Sequence, residues 1–484
     1  CTAPQQAGLA ALPNSTLPNS TLPHNNDLSA SDMEARYRRA RTLLHGSRSA
    51  KKPALNTTVY PHWIENSNDF WYIRETKTSK QYRLVNAKTT SNRVAFNHKA
   101  LAKSLAKASG ETVDVDNLPL ANVSLTVSPR QVSFTAFEQR WLYDNRKKRC
   151  RALAAYADNE KISPDGKTVA FVRDHNLWIR DLATGRETAL TEDGKSDYVY
   201  ASASTVYGRQ ERPSLEALWS ADSQRLLSLA KDTRQVNIGA PLVQHVPTDG
   251  SLLPTVLNED RRVAMPRDEH VEAYQLLAID IGSKKITLSD YPPSPVFYPP
   301  YAGFFTGDRG WWCKDNRRAY YIDLERGGKV GRLVEFDTHT GRTKVLIEDQ
   351  ADTGFTFIPH SHIHTLIVHL PDSNEMIWYS ERSGWAHLYL YDLNTGSLKN
   401  AITQGAWLVR NVLRYNPERR ELFIQTAGRV AGRNPYYRDI CRVNIDTGQL
   451  TTLLSTDHEY IVCDQRGRGP SRTDRQALGV SGNG

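Results

Sequence analysis

A serine nucleophile presented on a sharp strand-to-helix turn reads Gly-x-Ser-x-Gly. No such pentad occurs in the 484 residues; the nearest approach is Gly479-Val480-Ser481-Gly482-Asn483, whose closing glycine falls one residue late, at Gly484. No alternation of strands with long helices accompanies it, so the sequence offers no catalytic residue for serine-hydrolase chemistry. His360, His362 and His364 alternate, which on a strand projects three imidazoles from one face. Three such rings are candidate ligands for zinc or copper. No carboxylate is fixed beside them by spacing, and the preferred reading is a strand whose polar face carries histidines; His369 follows them. Asp174-His175 and Asp457-His458-Glu459 read as loops. Neither a P-loop nor Gly-x-Gly-x-x-Gly is present, so no metal and no cofactor is expected.

The most distinctive stretch is Trp378-Tyr379-Ser380-Glu381-Arg382-Ser383-Gly384-Trp385-Ala386-His387-Leu388-Tyr389. It reads as a strand, a polar turn and a second strand. Glu381 and Arg382 either pair within the turn or project into a central channel, and the two tryptophans are expected to pack between modules.

The elements that must position these groups are short β-runs broken by turns. A strand ending in Asp-x-x-Thr-Gly appears at Leu177–Gly185, Leu333–Gly341 and Leu388–Gly396, with a shortened copy at Val443–Gly448. A second unit, Ser163-Pro164-Asp165-Gly166 before an apolar strand, recurs loosely at Ser220–Ser223 and Asn416–Arg419. A module of this kind hides one sheet face, and stacking copies radially buries the rest, which is a β-propeller. Seven modules are visible, at 58–90, 112–150, 160–192, 197–285 (with an insertion), 295–349, 357–401 and 406–456. The final residues, with Ser481-Gly482-Asn483-Gly484 as a polar turn, read as the start of another module. Helices are expected over 31–45, opened by the capping box Ser31–Glu34, and over 97–108. The fold class is therefore all-β, with a short N-terminal helix.

Lys and Arg exceed Asp and Glu by nine. The basic residues read as scattered, with knots at Arg146–Arg149 and Arg36–Arg41. That is a solvated surface rather than the stripe nucleic acid requires, so no nucleic-acid partner is expected. No apolar run is long enough to span a membrane as a helix. The five cysteines, Cys1, Cys150, Cys313, Cys441 and Cys463, form no Cys-x-x-Cys pair, so zinc and thioredoxin-like readings fail. Cys1 leads a low-charge tract containing two tandem Leu-Pro-Asn-Ser-Thr repeats. Residues 1–28 read as a flexible tether, as in a bacterial lipoprotein acylated at Cys1. The expectation is anchorage to the outer membrane through that lipid, on the periplasmic side of the envelope.

Trp378–Tyr389 resembles the Trp-x-Ser-Glu-Arg-[Ser/Asp]-Gly-Trp-x-His-Leu-Tyr signature of the dipeptidyl peptidase IV family, in the prolyl oligopeptidase superfamily. Gly432-Arg433-Asn434-Pro435-Tyr436-Tyr437-Arg438, followed by Cys441-Arg442-Val443-Asn444, is similar to a second family segment. Tyr60–Trp63 and Ala95–His98 are similar to exported bacterial members. The resemblance covers residues 31–484. It implies an eight-bladed propeller covering a C-terminal α/β-hydrolase domain that carries the Ser, Asp and His, in enzymes that remove dipeptides with Pro or Ala in second position. Residues 29–57 become a helix and linker, and 58–484 a propeller that stops before its last blade, with the hydrolase absent. The resemblance also implies a Glu pair gripping the substrate amine in Asp-Trp-Val-Tyr-Glu-Glu. Here the segment is Asp197-Tyr198-Val199-Tyr200-Ala201-Ser202, so the frame stands and the acids are missing. Glu211 and Glu216 follow, but spacing does not bring them there.

Two functions are expected. The first is the substrate-gating propeller of an exported dipeptidyl peptidase IV-like serine peptidase, not catalytic alone, with Tyr200, Glu381 and Arg382 as substrate-binding candidates and the hydrolase domain and a peptide substrate as partners. The alternative is a degenerate propeller lipoprotein that serves as a binding or assembly subunit of an envelope complex.

Overall fold

The computed structural model describes residues 32–37, 55–56, 59, 61–64, 67–127, 130–153, 159–202, 215–238, 242–244, 255–258, 262, 264, 267–295, 304–305, 309–352, 366–461 and 481–483. The chain divides into two units, Cys1–Thr57 and Thr58–Gly484. In the first, residues 32–37 are helical. The second is a seven-bladed β-propeller. Its blades run His62–Val94, Ala121–Ala152, Lys161–Ala189, Tyr198–Pro295, Gly310–Gln350, Val368–Ala401 and Leu408–Leu454. Six are four-stranded antiparallel meanders; blade 4 has six strands. Each of the seven sequence modules overlaps one blade, although 58–90 stops before the fourth strand of blade 1 and 197–285 before the last two strands of blade 4.

One turn is common to all seven blades. Between the third and fourth strands an Asp or Asn oxygen accepts backbone N–H groups two or three residues on. The acceptors are Asn86, Asp144, Asp181, Asp280, Asp337, Asp392 and Asn444, at 2.8–3.1 Å. Such Asx turns substitute a side chain for a backbone acceptor. The fourth residue after each acceptor has positive φ: Thr90, Lys148, Gly185, Lys284, Gly341, Gly396 and Gly448. The expected shortened copy in blade 7 is thus a full one, with Asn444 in the place of Asp.

The turns between first and second strands also end in a left-handed residue: Gly166, Ser223, Asn316, Asn374 and Arg420 in blades 3 to 7. Four of these reach back to the blade before. Ser223 Oγ accepts from Asp165 N at 3.1 Å, Asn316 Oδ1 from Ala221 N at 3.0 Å and Asn374 Oδ1 from Tyr320 Oη at 3.1 Å. Arg420 pairs with Glu375 at 2.9 Å. Tryptophans add a second set of links to the preceding blade. Trp219 Nε1 donates to Lys161 O and Trp312 Nε1 to Leu218 O, each at 3.0 Å. Between these links the blades bury Leu, Ile, Val and aromatic side chains face to face. The aromatic-rich composition supplies the large side chains such wedge-shaped gaps need.

The helix His98–Ser109 joins blades 1 and 2. Asn97 caps it, accepting from Ala100 N at 2.9 Å, and Gly110 ends it with φ 80°. Leu101, Ala102 and Leu105 are buried with the cores of both blades. The expected boundaries, 97–108, fall within a residue of those observed. The tail differs from expectation: Ser481–Asn483, read as a module-opening turn, is a strand paired with Glu459–Ile461. An open strand edge recruits whatever backbone can satisfy its N–H and C=O groups.

A Cβ on Gly396 would lie 2.5 Å from Leu346 O, on the fourth strand of blade 5, whereas one on Gly185 would meet nothing within 4 Å. Gly185→Ala therefore incurs only left-handed strain, about 1–2 kcal/mol. Gly396→Ala adds a backbone clash and is expected to cost about 2–4 kcal/mol. Chemical denaturation of the two variants checks the order. Acid should also unfold the turns. Burial raises the Asp337 carboxyl, but Arg317 and the turn N–H groups outweigh it and hold the group at about 2. A depressed carboxylate stabilises above its unfolded value, near 4, and that stability is lost as pH falls through about 2. Asp337→Asn should flatten stability against pH in that window, read by urea midpoints between the two values.

Candidate functional site

In a four-stranded meander the connections between strands 1–2 and 3–4 emerge on one side. The 2–3 hairpins and the crossings between blades emerge on the other. The repeated turns thus occupy one face of the ring. The unusual segments lie on the opposite face: the ends of the blade 4 connection at Asp232 and Ala273, the blade 6 turn Glu381–Ala386 and the blade 7 hairpin Gly428–Tyr437. Fourth strands such as Ser91–Val94 and Ser397–Ala401 are largely exposed and mark the outer rim, which leaves first strands toward the axis.

The blade 6 turn is braced from its own blade and from blade 5. Arg382 Nε donates to Ser380 Oγ at 2.9 Å, Nη1 to Tyr391 Oη at 2.8 Å and Nη2 to Asp349 Oδ2 at 3.0 Å. Its guanidinium lies 4.5 Å from the centre of the Tyr389 ring, a cation–π geometry. The same Asp349 oxygen accepts Trp378 Nε1 at 3.0 Å. Arg382 is therefore committed to the blade 5–6 seam and does not pair with Glu381. Glu381 sits on the exposed turn, its carbonyl accepting from Gly384 N at 2.9 Å; its carboxylate has no hydrogen bond or ion pair among the described residues, and desolvation by the surrounding protein raises the carboxyl above the usual range. Trp378 packs between blades as expected; Trp385 does not. It stands in the turn beyond the strand, 42 % exposed.

His387, the histidine of the signature, is buried against Trp407, with ring nitrogens 3.0 Å from Thr403 Oγ1 and 2.9 Å from Gly405 O. Burial lowers its pKa. Both nitrogens are engaged, so the ring anchors the hairpin. Arg433 plays the same part in blade 7, bonding Asp439 at 2.5 Å, Ser455 Oγ at 2.7 Å and Thr456 O at 3.0 Å. That clamp holds up Tyr436, 84 % exposed.

The first strand of blade 4 is interrupted. Tyr198–Tyr200 and Ala217–Trp219 both pair with Arg225–Asp232 in one continuous register. The chain leaves the strand after Ala201, which has φ 50°, and the excursion is pinched by a bridge between Ser202 and Leu215. Tyr200 is buried at its mouth; its hydroxyl donates to Asp193 at 2.8 Å and its ring meets Tyr198 edge-on. Arg234 lies over the other tyrosine, 4.7 Å from its centre. Tyr200 thus belongs to blade 4 and the Glu381–Arg382 turn to blade 6, and no contact joins them among the described residues.

Spacing gave no role to Glu216, and the structure gives it one. It is fully buried, accepting Phe305 N at 2.7 Å beside the fully buried Arg309. Burial lowers the Arg309 pKa to about 10 while the Glu216 carboxylate works against that shift. Glu216 is therefore tied to the blade 4–5 seam. Two charges brought together from far apart in sequence leave no local signal.

His360, His362 and His364 lie outside the described residues, as do Cys1, Cys463 and Glu211. Among the described residues no cluster of three His, Cys, Asp or Glu side chains could hold a metal, and no helix is long and apolar enough to cross a membrane. Cys150, Cys313 and Cys441 are buried and free. Asp174 and His175 are the two left-handed residues of a tight hairpin in blade 3, a conformation that Asp and His tolerate.

The family model described as "Dipeptidyl peptidase IV (DPP IV) N-terminal region" matches residues 122–249 and 307–465. A probable dipeptidyl peptidase 4 of Emericella nidulans is 25 % identical over 263 residues, 53 % of this chain and 33 % of that protein. A dipeptidyl peptidase 4 of Trichophyton equinum is 25 % identical over 304 residues, 60 % and 36 %. The chain therefore spans about a third of the length of the curated relatives it matches. Among solved structures, a putative dipeptidyl aminopeptidase IV from Bacteroides ovatus superposes with TM-score 0.60 at 17 % identity, over 85 % of this chain and 56 % of that one. Dipeptidyl peptidase 4 of Porphyromonas gingivalis gives 0.59 at 16 %, over 83 % and 54 %.

Glu216→Ala strips a buried guanidinium of its compensating charge and should destabilise by about 3–5 kcal/mol, whereas replacing Glu216 and Arg309 together by Leu and Met should recover most of that loss. Arg382→Ala leaves Asp349 with Trp378 alone and should cost about 1–3 kcal/mol, less because the guanidinium is partly exposed. Thermal and urea unfolding of the three variants separate these outcomes.

Proposed function

From the premise that this chain belongs to the family of dipeptidyl peptidase IV N-terminal regions, we propose that it is the substrate-gating propeller of a dipeptidyl peptidase IV-like serine peptidase whose chemistry is supplied by a separate α/β-hydrolase domain. The observation that carries this is the segregation of faces. Uniform turns close one side, and the turn of the family signature and the Arg433-clamped hairpin lie on the other. A peptide admitted on that side would meet Glu381, the exposed carboxylate that no protein cation neutralises among the described residues. Its raised pKa follows from desolvation, and an incoming Lys or Arg side chain of the peptide would relieve that penalty. Arg382 and Tyr200 act on this reading as positioning residues, since both side chains are already bonded within the protein.

A second reading is favoured by Ala201 and Ser202, which stand where the resemblance implies an acidic pair. On that reading the propeller binds a protein partner in an envelope complex without turning over peptides. The two readings separate on peptide chemistry. The isolated chain should leave an Ala-Pro chromogenic dipeptide intact, and hydrolysis blocked by a serine-directed inhibitor would overturn the separate-domain account. In titrations followed by tryptophan fluorescence, short peptides should bind with similar affinity whether the N-terminus is free or acetylated. A tenfold or greater preference for the free amine (about 1.4 kcal/mol) would mean that an amine clamp exists elsewhere, and no binding at all would favour the partner-binding reading.

A further inference from the structure

The positive charge of this protein is concentrated in two blades. Between His62 and Ala152, blades 1 and 2 with their connecting helix, the sequence holds 16 Lys or Arg against 8 Asp or Glu, an excess of eight. That is eight of the nine net positive charges of the whole chain, so the remainder carries a net charge of only one. The scattered basic surface read from the sequence is one flank of the ring.

Its geometry is specific. Lys99, Lys103 and Lys107 follow one another at four-residue spacing on the helix His98–Ser109, all exposed, while the opposite face buries Leu101, Ala102 and Leu105. Residues four apart align along one side of a helix, so the lysines form a single stripe. The helix is fixed to the outer strand of blade 2 by Ser104 Oγ, which accepts Cys150 N at 2.6 Å. That strand carries Arg149 and Arg151, and the turn before it carries Arg146, Lys147 and Lys148, all exposed. None of these eight cations makes an ion pair among the described residues. Basic residues in later blades do, as in Arg180–Glu160, Lys314–Asp372 and Arg317–Asp337. The nearest acid in sequence, Asp144, is occupied by the N–H groups of Arg146 and Lys147.

We propose that this flank, the Lys99–Lys103–Lys107 stripe with the basic turn and strand at 146–151, is a docking surface for the anionic phosphate headgroups of a lipid bilayer. The outer rim of a ring is convex, without the groove that would track a nucleic-acid backbone, and the helix stripe carries no aromatic side chain on which bases could stack. Unpaired lysines spread over a broad face suit a planar array of phosphates, to which each contributes independently. The helix buries its apolar face in the protein, so the contact is electrostatic and lies on the headgroups without insertion. The proposal does not depend on the peptidase reading or on any lipid attached to the chain.

The test is co-sedimentation of the full chain, unmodified at its N-terminus, with vesicles of phosphatidylcholine alone or with about 30 % phosphatidylglycerol. Binding is expected to the anionic vesicles only, and to vanish between about 0.1 M and 0.5 M salt as screening tightens. Lys99→Gln, Lys103→Gln and Lys107→Gln combined, or Arg146→Gln, Lys147→Gln and Lys148→Gln combined, should each lower the partition coefficient by about a hundredfold. Lys344→Gln, on blade 5, should leave it unchanged. All substitutions are at exposed positions, and unaltered melting temperatures confirm folding. The proposal is overturned by equal binding to both vesicles, by no binding, by variants that bind like the parent, or by duplex DNA that binds more tightly than the anionic vesicles at the same salt.

Discussion

The ring depends on the left-handed residue at the end of its turns. A blade must reverse direction tightly and, at the same point, lie against the blade before it. A positive φ achieves the reversal, and what stands at that position decides the docking. Where it is Gly341 or Gly396, the backbone approaches a carbonyl of the previous blade so closely that no Cβ fits. Where it is Ser223, Asn316 or Asn374, a short polar side chain accepts a hydrogen bond from the previous blade. Local conformation and blade-to-blade register are thus set by the same residues. Radial stacking then buries the apolar faces that no single blade could hide.

This constraint confines variation to the other face. The side that carries the uniform turns has little freedom, because in blades 4 to 7 these turns are part of the seams. The 2–3 hairpins and the crossings between blades are not bound in that way, and there the chain departs from its repeat: the long blade 4 connection, the Glu381–Ala386 turn and the hairpin held by Arg433. The first strand of blade 4 goes further and opens mid-strand, with Ala201 at positive φ at the break. Charged side chains then tie these irregular pieces to the frame. Arg382 with Asp349 and Glu216 beside Arg309 both lie at seams between blades. Charges of this kind favour one arrangement over near alternatives more than they add to stability.

The number of blades was legible in the sequence, and the reason is local chemistry. Asp-x-x-Thr-Gly can be read because Asp supplies the acceptor and Gly the left-handed backbone. The same turn in blades 1, 2 and 4 could not be read, because Thr90, Lys148 and Lys284 adopt the conformation without glycine. The helix was legible from Asn97 and the spacing of Leu101 and Leu105. The site was less so. Glu381 and Arg382 were singled out by their turn, but the partner of Arg382 is Asp349 across a seam, and Tyr200 proved to be bonded to Asp193. Such pairs are set by packing between blades, to which sequence spacing carries no clue. The concentration of charge escaped notice for a related reason: only the blade boundaries show that the excess lies within two of seven blades.

The central claim is that one face of this propeller is structural and the opposite face receives peptide. Hydrogen–deuterium exchange on the chain with and without a saturating short peptide tests it most directly. The account predicts slowed exchange in Glu381–Ala386, in Gly428–Tyr437 and around the break at Ala201, with the turns ending at Gly185, Gly341, Gly396 and Gly448 unchanged. Protection confined to those turns, with the opposite face unaffected, would contradict it.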